Sequence, residues 1–261
     1  WLRNRGRHSS RQLLAGKVKK ILEEHPDNRN YGVDRVCLAL EQDGVDVSRR
    51  TVYRVMKENG WLHKRRIPHG VTKATTEAQE QENILKRDFS AQRPSEKFLT
   101  DITEVQCADG KLYVSPVMDC FSSEIVALEM RDNMKKELCI DTVRQLERLY
   151  PSLSGAVFHS DRGSQYTSLA LRSELSRCGM IQSLSGTGHC FDNARMESFF
   201  ATLKKENIYQ IAAYKLPREQ VKTIIFRYVF IYYNRVRIYT RNPLGLPPVK
   251  YREWAQAQTA A

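Results

Sequence analysis

Three closely spaced apolar runs in the middle of the chain constrain its fold more than any other feature. They occupy residues 98–107, 111–119 and 124–130. Each has the length and apolar content of a β-strand. Asp109-Gly110 between the first two supplies the positive φ angles that a tight hairpin needs. Pro116 cannot donate to a strand ladder, so we expect a bulge or an unpaired position there.

Helices and strands alternate after these runs. The pattern predicts helices over 135–149 and 167–177, strands over 155–160 and 180–184, and a further helix after residue 193. Antiparallel strands followed by alternating helix and strand are typical of a mixed α/β sheet flanked by helices. A chain of 261 residues with 41% apolar residues can bury such a core.

Three acidic residues stand out against this framework. Asp101 lies inside a strand-like run, where Asp is normally depleted, and Asp161 ends the run 155–160. Glu197 shares one face of the last helix with Asn193 and Lys204, by the spacing of an α-helix. For that helix alone, a solvated polar face remains an alternative.

The motifs around these residues resemble those of a known family. TDIT (100–103), HSDRGSQYTS (159–168) and DNARMESFFATLKKE (192–206) look like the catalytic core of an OrfB-type transposase of the third insertion-sequence family. The resemblance extends over residues 20–252. It implies a ribonuclease H-like fold that carries a DDE triad, as in retroviral integrases.

The resemblance implies that Asp101, Asp161 and Glu197 are catalytic metal ligands. Two hard cations can activate the attacking oxygen and stabilise the leaving oxygen of a phosphodiester. Mg²⁺ prefers oxygen ligands, so we expect two Mg²⁺ ions, with Mn²⁺ as a substitute. In this scheme Asp101 binds both ions, and the other two carboxylates bind one each.

Further positions match the family's DNA-binding pattern. By resemblance, Lys204 contacts the transposon end, while Gln165, Tyr166 and Asn193 position DNA or support the carboxylates. Core packing remains an alternative for Tyr166. We interpret His159 as a strand histidine with satisfied hydrogen bonds rather than as a catalytic group.

The N-terminal third is basic and has a helical pattern. Residues 1–70 hold 16 Lys and Arg against 8 Asp and Glu, which indicates a polyanionic partner. Helices over 10–25 and 31–43 precede a third that begins after Ser48, a predicted N-cap, and ends before Gly60. This pattern predicts a helix-turn-helix, whose third helix would contact DNA phosphates. Its candidate DNA-binding residues are Arg49, Arg50, Arg54 and Lys57. A helical bundle with a basic exterior is the alternative.

The predicted organisation has four parts. They are a helix-turn-helix domain (1–62), a linker (63–97) with a short helix around 77–88, a catalytic core (98–216), and a C-terminal helix and tail completing the core (217–261). Aromatic residues of the last part are interpreted as packing residues.

Composition and sequence motifs limit the cellular environment and the binding partners that we expect for this protein. The chain has no apolar run long enough to span a membrane and no secretory signal, and its six cysteines lack CxxC spacing. We therefore expect a cytoplasmic, nucleoid-associated bacterial protein with reduced thiols and no structural zinc. The family implies double-stranded DNA, a homo-oligomer on DNA and a polypeptide from an upstream reading frame as partners.

The sequence thus predicts a metal-dependent enzyme that cleaves insertion-sequence ends and joins them to target DNA. Two alternatives remain. One is a DNA-binding regulator that uses only the helix-turn-helix, and the other is a ribonuclease H-like nuclease that does not transpose.

Overall fold

The computed structural model describes residues 10–62, 83–150, 152–186 and 190–260. The chain divides into two compact units. The first combines Trp1–His69 with Val236–Pro247, and the second combines Gly70–Arg235 with Pro248–Ala261. No helix in these ranges is both long and apolar enough to cross a membrane.

Three helices form the first unit: α1 (Ser10–Glu23), α2 (Val33–Gln42) and α3 (Arg49–Glu58). They enclose an apolar core that includes Val18, Val36, Leu40, Val52 and Met56. Helical periodicity in 10–25 predicts that Leu13 also faces this core, but the structure leaves Leu13 60% exposed, so that prediction is wrong.

The turn before α3 and the end of α3 match the sequence prediction. The Ser48 hydroxyl accepts a hydrogen bond from the Thr51 N–H at 3.3 Å, which makes Ser48 the N-cap. Gly60 has φ +71°, a conformation that other residues rarely adopt. The predicted all-helical N-terminal region is therefore confirmed.

Part of the predicted C-terminal extension belongs to this first unit. The Tyr31 hydroxyl accepts a hydrogen bond from the Ile238 N–H at 3.0 Å, and the Gln42 Nε2 donates to the Leu244 carbonyl at 3.2 Å. Residues 236–247 have no helical or strand periodicity, so their place in the first unit could not be predicted from local pattern. The structure differs here from the predicted role of 217–261 in completing the core.

The second unit is built on one mixed sheet. In the described part of the chain its strands are β1 (Lys97–Thr100), β2 (Thr103–Cys107), β3 (Gly110–Asp119), β4 (Ile125–Arg131), β5 (Val157–Ser160) and β6 (Ile181–Leu184). β1 and β2 both pair with β3 in antiparallel register, with residues 101 and 102 between them. β4 pairs with β3, while β5 pairs in parallel with both β1 and β6. The predicted mixed sheet is confirmed.

The sheet is irregular beside Pro116, as predicted. The register between β3 and β4 shifts between Val117 and Met118, one residue beyond the proline. The Pro116 carbonyl accepts a hydrogen bond from the Thr100 hydroxyl at 2.8 Å. The missing N–H is thus tolerated next to a bulge.

Five α-helices accompany the sheet in the described part of the second unit, and three of them follow its last strand in the chain. They are α4 (Lys136–Leu149), α5 (Leu169–Arg177), α6 (Ala194–Leu203), α7 (Arg218–Arg227) and α8 (Pro248–Ala260). Phe98, Phe158 and Leu146 belong to the apolar core of this unit. Helical periodicity in 135–149 predicts an inward-facing Leu149, but this residue lies at the end of α4 and is 58% exposed.

Wide π-helical turns extend two of these helices. Lys204–Ile208 follows α6, and Tyr228–Tyr233 follows α7. Tyr228, Tyr232 and Tyr233 are buried, which confirms their interpretation as packing residues. Asn234 then exchanges two hydrogen bonds with the backbone of Ile125, at 3.0 and 2.9 Å, and so fixes the chain to β4.

The end of the predicted linker belongs to the second unit. Leu85 is only 3% exposed, and residues 83–88 form turns rather than the predicted helix. The rest of that predicted helix, residues 77–82, lies outside the described residues.

Buried free thiols agree with the prediction of reduced core cysteines. Cys107, Cys120 and Cys139 are free and buried. Burial raises the pKa of Cys139 to about 12, so this thiol stays protonated.

Candidate active site

Two of the predicted acidic residues follow neighbouring parallel strands. In the pairing of β1 with β5, Leu99 lies opposite His159. Asp101 and Asp161 each come two residues after that pair. Adjacent strands are about 4.8 Å apart, and both run in the same direction here. The two aspartates therefore leave the sheet at the same edge.

Asp101 occupies the interruption between β1 and β2, where it is half-buried. Its Oδ1 accepts a hydrogen bond from the Ile102 N–H at 2.8 Å. Burial raises the pKa of Asp101 to about 7, the charges of Asp161 and Glu197 add to this rise, and the Lys204 ammonium opposes it. The charges of Asp161, Glu197 and Lys204 therefore all affect the pKa of Asp101.

A tight turn holds Asp161 beyond β5. Its Oδ1 accepts a hydrogen bond from the Gly163 N–H at 3.0 Å, and its carboxylate is exposed. A Cβ atom at Gly163 would stand 3.1 Å from that same oxygen and 3.0 Å from the Gln165 Oε1. Glycine at this position therefore lets the turn close against Asp161.

The helix α6 brings Glu197 to the strand that carries Asp101. Asn193, at the start of the helix, donates from Nδ2 to the Thr100 carbonyl at 3.0 Å. Glu197 comes one turn later on the same face and is exposed. A carboxylate in the first turn is also stabilised by the helix dipole.

The donor chemistry of this group fits a hard divalent cation. Asp101, Asp161 and Glu197 offer carboxylate oxygens, which Mg²⁺ prefers. The buried Oδ1 of Asn193 has no hydrogen-bond partner in the structure. Among the described residues, however, no three His, Cys, Asp or Glu side chains stand close enough together to hold a metal ion, so the three carboxylates do not form a metal site as they stand.

Two predicted DNA-binding residues do not reach the surface. Tyr166 is 1% exposed, and its hydroxyl lies 3.3 Å from the Thr100 hydroxyl. Asn193 is 5% exposed and binds the Thr100 carbonyl. Burial of both side chains favours the second of their two predicted roles, support of the carboxylates, over direct contact with DNA. They support the strand end that carries Asp101.

The other two predicted DNA contacts of this unit are more accessible. Gln165 is half-buried and donates from Nε2 to the Met134 carbonyl at 2.8 Å, so part of its amide is already engaged. Lys204 is half-buried and begins the π-helical turn after α6.

The basic residues predicted for DNA contact in the first unit are exposed on α3. They are Arg49, Arg50, Arg54 and Lys57. Arg49 also donates from Nε to the Asp34 Oδ1 at 2.6 Å. The structure thus keeps these cations on the surface of a helix whose opposite face is buried.

His159 has the structural role that the sequence predicted. Its Nδ1 lies 2.8 Å from the Ser183 hydroxyl, and its Nε2 lies 3.1 Å from the Ser185 hydroxyl. Burial lowers its pKa to about 4, so the imidazole is neutral near pH 7.

Sequence reasoning missed one charged residue beside the site. Asp192, two residues before α6, is only 2% exposed and binds residues more than 100 positions away. Its position just before the helix was a visible signal, because acidic residues favour helix N-termini. Its distant partners could not be read from the sequence.

Known families match almost the whole chain. The family described as Integrase core domain matches residues 91–190, and a second family with the same description matches residues 197–255. The family described as HTH-like domain matches residues 9–69.

Related sequences agree with these family matches. The chain is 33% identical over 239 residues to the putative transposase InsK for insertion sequence element IS150 of Escherichia coli, covering 91% of this chain and 83% of that one. It is 40% identical over 173 residues to an uncharacterized transposase-like protein of Haemophilus influenzae, covering 66% and 77%.

A cryo-EM structure of a simian T-cell lymphotropic virus intasome, in complex with PP2A regulatory subunit B56 gamma, contains a chain with a similar fold. The TM-score is 0.50 at 11% identity, over 80% of this chain and 71% of that one. At this identity the likeness concerns the fold alone. The relatives and the matched families together show that this chain belongs to the insertion-sequence transposases that carry an HTH-like domain and an integrase core.

Proposed function

We propose that the chain is a DDE transposase that cleaves the ends of its own insertion sequence and joins them to target DNA. One observation carries this proposal: the paired strands β1 and β5 lead to Asp101 and Asp161 at one edge of the sheet, and Asn193 ties the start of the helix that bears Glu197 to the end of β1. Charges of one sign are unfavourable together unless a cation or substrate compensates them.

Mg²⁺ is the proposed cofactor, with Mn²⁺ as a substitute. Asp101 would bind both of two ions, while Asp161 and Glu197 would bind one each. When bound, such ions activate an attacking oxygen and stabilise a leaving oxygen in phosphodiester chemistry. The chain's own contribution would be to bring three carboxylates from three separate elements to the same ions.

The reaction needs no nucleophilic side chain. Water would first attack a phosphodiester at the end of the element and release a 3′ hydroxyl. That hydroxyl would then attack a phosphodiester of the target strand. Lys204, whose charge lowers the pKa of Asp101, would neutralise a DNA phosphate beside the carboxylates.

The exposed cations of α3 are proposed to hold double-stranded DNA. Arg50, Arg54 and Lys57 can contact phosphates without loss of buried contacts, since the apolar face of α3 points away from them. We further propose a homo-oligomer on DNA, a polypeptide from an upstream reading frame as a partner, and a nucleoid-associated location in a bacterial cytoplasm.

To test this, the protein is incubated with candidate element ends and target DNA in Mg²⁺. The joined products are then sequenced. Wild-type protein should yield joined ends. Asp101→Asn, Asp161→Asn and Glu197→Gln should each lower joining by at least about 10²-fold while the protein still binds DNA ends. Glu104→Gln is the matched control, because this exposed carboxylate on β2 lies outside the candidate site and pairs with Lys111 at 2.9 Å.

Each alternative has its own outcome. Substantial joining by any of the three carboxylate variants would refute the triad. Binding of ends by the wild type without any cleavage would favour a regulator. Cutting of RNA/DNA hybrids without joined products would favour a nuclease.

A further inference from the structure

We propose that residues 83–89, the anchor segment, hold the start of α6 through Asp192, and that Asp192 is the positioning residue for Glu197. This inference rests on the proposed function. It adds a role for a segment that the sequence had assigned to a linker.

Asp192 is a buried carboxylate with three donors. Its Oδ2 accepts from the Asn83 Nδ2 at 2.8 Å and from the Gly186 N–H at 3.0 Å, and its Oδ1 accepts from the Arg87 Nε at 2.7 Å. A buried charge is costly unless it is paired and hydrogen-bonded. These contacts therefore fix Asp192 against the anchor segment and against the chain that leads into α6.

A second set of contacts fixes the anchor segment to the sheet. The N–H groups of Ile84 and Leu85 donate to the Ser183 hydroxyl on β6, at 3.0 and 3.3 Å. That hydroxyl also lies 2.8 Å from the His159 Nδ1 on β5. The segment is thus held by β6, whose Ser183 hydroxyl is also bound to His159 on the strand that leads to Asp161.

A third contact joins the end of the segment to α6 itself. Arg195 donates to the Phe89 carbonyl at 2.9 Å and to the Cys120 carbonyl at 2.6 Å. Its guanidinium also lies 5.9 Å from the centre of the Phe89 ring. The first turn of α6 is therefore bound to the segment on both sides of Asn193.

These contacts bear on Glu197 because a helix moves as a unit. Asp192 lies in a 3₁₀ turn, Cys190–Asn193, that leads directly into α6, and Glu197 lies in the first turn of α6. A displacement at the start of α6 is carried to Glu197 and changes its distance from Asp101. Misplacement of a reacting group by about 1 Å can lower a rate by about 10²-fold.

Arg87→Ala is the first test, because the Arg87 side chain is 52% exposed and its removal leaves the core intact. We expect kcat for end cleavage to fall at least about 10-fold at saturating DNA, with KM for DNA unchanged. The Mg²⁺ concentration for half-maximal cleavage should rise several-fold. Arg93→Ala is the matched control, an exposed arginine just outside the segment, and should behave as wild type.

Two readouts do not depend on activity. Titration with Mn²⁺, followed by electron paramagnetic resonance, should show weaker binding in Arg87→Ala than in the wild type. Amide hydrogen exchange should become faster in α6 but not in α4. Asp192→Asn should change the same quantities, and the double variant should be little worse than Asp192→Asn alone, since both changes remove one interaction.

Clear results would overturn the inference. Unchanged kcat, Mn²⁺ affinity and α6 exchange in Arg87→Ala would do so, and so would a lower melting temperature with no change in those quantities. If wild-type protein binds Mn²⁺ but joins no DNA, the proposed function fails instead, and the binding and exchange data still decide the role of Asp192.

Discussion

The two units of this protein use charge in opposite ways. The first unit displays Arg50, Arg54 and Lys57 on the exposed face of α3, above a small apolar core. The second unit brings Asp101 to a sheet edge where burial, together with the charges of two further carboxylates, raises its pKa to about 7. Exposed charges cost little stability, whereas buried like charges oppose folding. We therefore expect recognition to be spread over several replaceable residues and chemistry to depend on a few irreplaceable ones.

The largest effect should come from the apolar core beneath the carboxylates. Phe158 lies on β5, is 2% exposed and supports the strand that carries Asp161. Phe158→Ala should lower the free energy of unfolding by about 3–5 kcal/mol, because it leaves a cavity. Phe226→Ala, at a half-exposed position on α7, should cost far less. Equal losses in urea denaturation would contradict this account of the core.

The next effect concerns stability and pH. Asp101 has a folded-state pKa of about 7, above its usual value of about 3.9. Between these values the folded state binds more protons than the unfolded state, so wild-type stability should fall as pH rises from 4 to 7. Asp101→Asn removes this penalty. The variant should gain on the order of 2–4 kcal/mol relative to the wild type by pH 8.

Denaturation at pH 4 and pH 8, without divalent metal, measures this gain. The control Glu253→Gln removes an exposed charge and should change stability by no more than about 0.5 kcal/mol at either pH. Added Mg²⁺ should stabilise the wild type more than Asp101→Asn. If Asp101→Asn were less stable than the wild type at pH 8, the ionised Asp101 would not be destabilising the folded state.

A smaller effect is expected for the cations of the first unit. Arg54→Ala should weaken binding of all DNA sequences and lower the slope of log affinity against log salt by about 1, if Arg54 contacts one phosphate. Lys19→Ala on α1 is the control, since Lys19 pairs with Glu23 at 3.8 Å. Identical salt slopes for the wild type and Arg54→Ala would remove this residue from the DNA surface.

The smallest effect compares equivalent N-caps in the two units. Ser48 caps α3 and is exposed, whereas Ser168 caps α5 and also donates to the Gln165 carbonyl at 2.8 Å. Serine-to-alanine changes at N-caps cost about 0.5–2 kcal/mol. We expect Ser168→Ala to lie nearer the upper end, because it also removes a partly buried hydrogen bond. A larger loss in Ser48→Ala, measured by thermal unfolding, would reverse this ranking.

Local patterns predicted much of this architecture. The strand alternation, the Asp109-Gly110 turn, the Ser48 cap and Gly60 depend on neighbours in the sequence, and the structure contains them. Errors occurred at helix ends, as at Leu13 and Leu149, where helical periodicity continues but no partner covers the residue. Such ends depend on what packs nearby, which periodicity does not reveal.

The same limit applies to the candidate site: its residue types were predictable, but its long-range contacts were not. Asp101, Asp161 and Glu197 could be selected by residue type and resemblance, and β1 and β5 carry the first two to one sheet edge. The burial of Tyr166 and the role of Asp192 could not be foreseen, because their partners Thr100, Asn83 and Arg87 are distant in sequence. Long-range packing decides these features.

The parallel pairing of β1 with β5 has a consequence for synthesis on the ribosome. The antiparallel strands from Lys97 to Arg131 can pair soon after they emerge, since each has its partner nearby in the chain. Asp101 meets Asp161 only after sixty more residues have been translated, and Glu197 follows later still. A nascent polypeptide therefore holds no assembled acidic centre until most of its message has been read, and prematurely terminated products that stop before α6 should be harmless to the genome that encodes them.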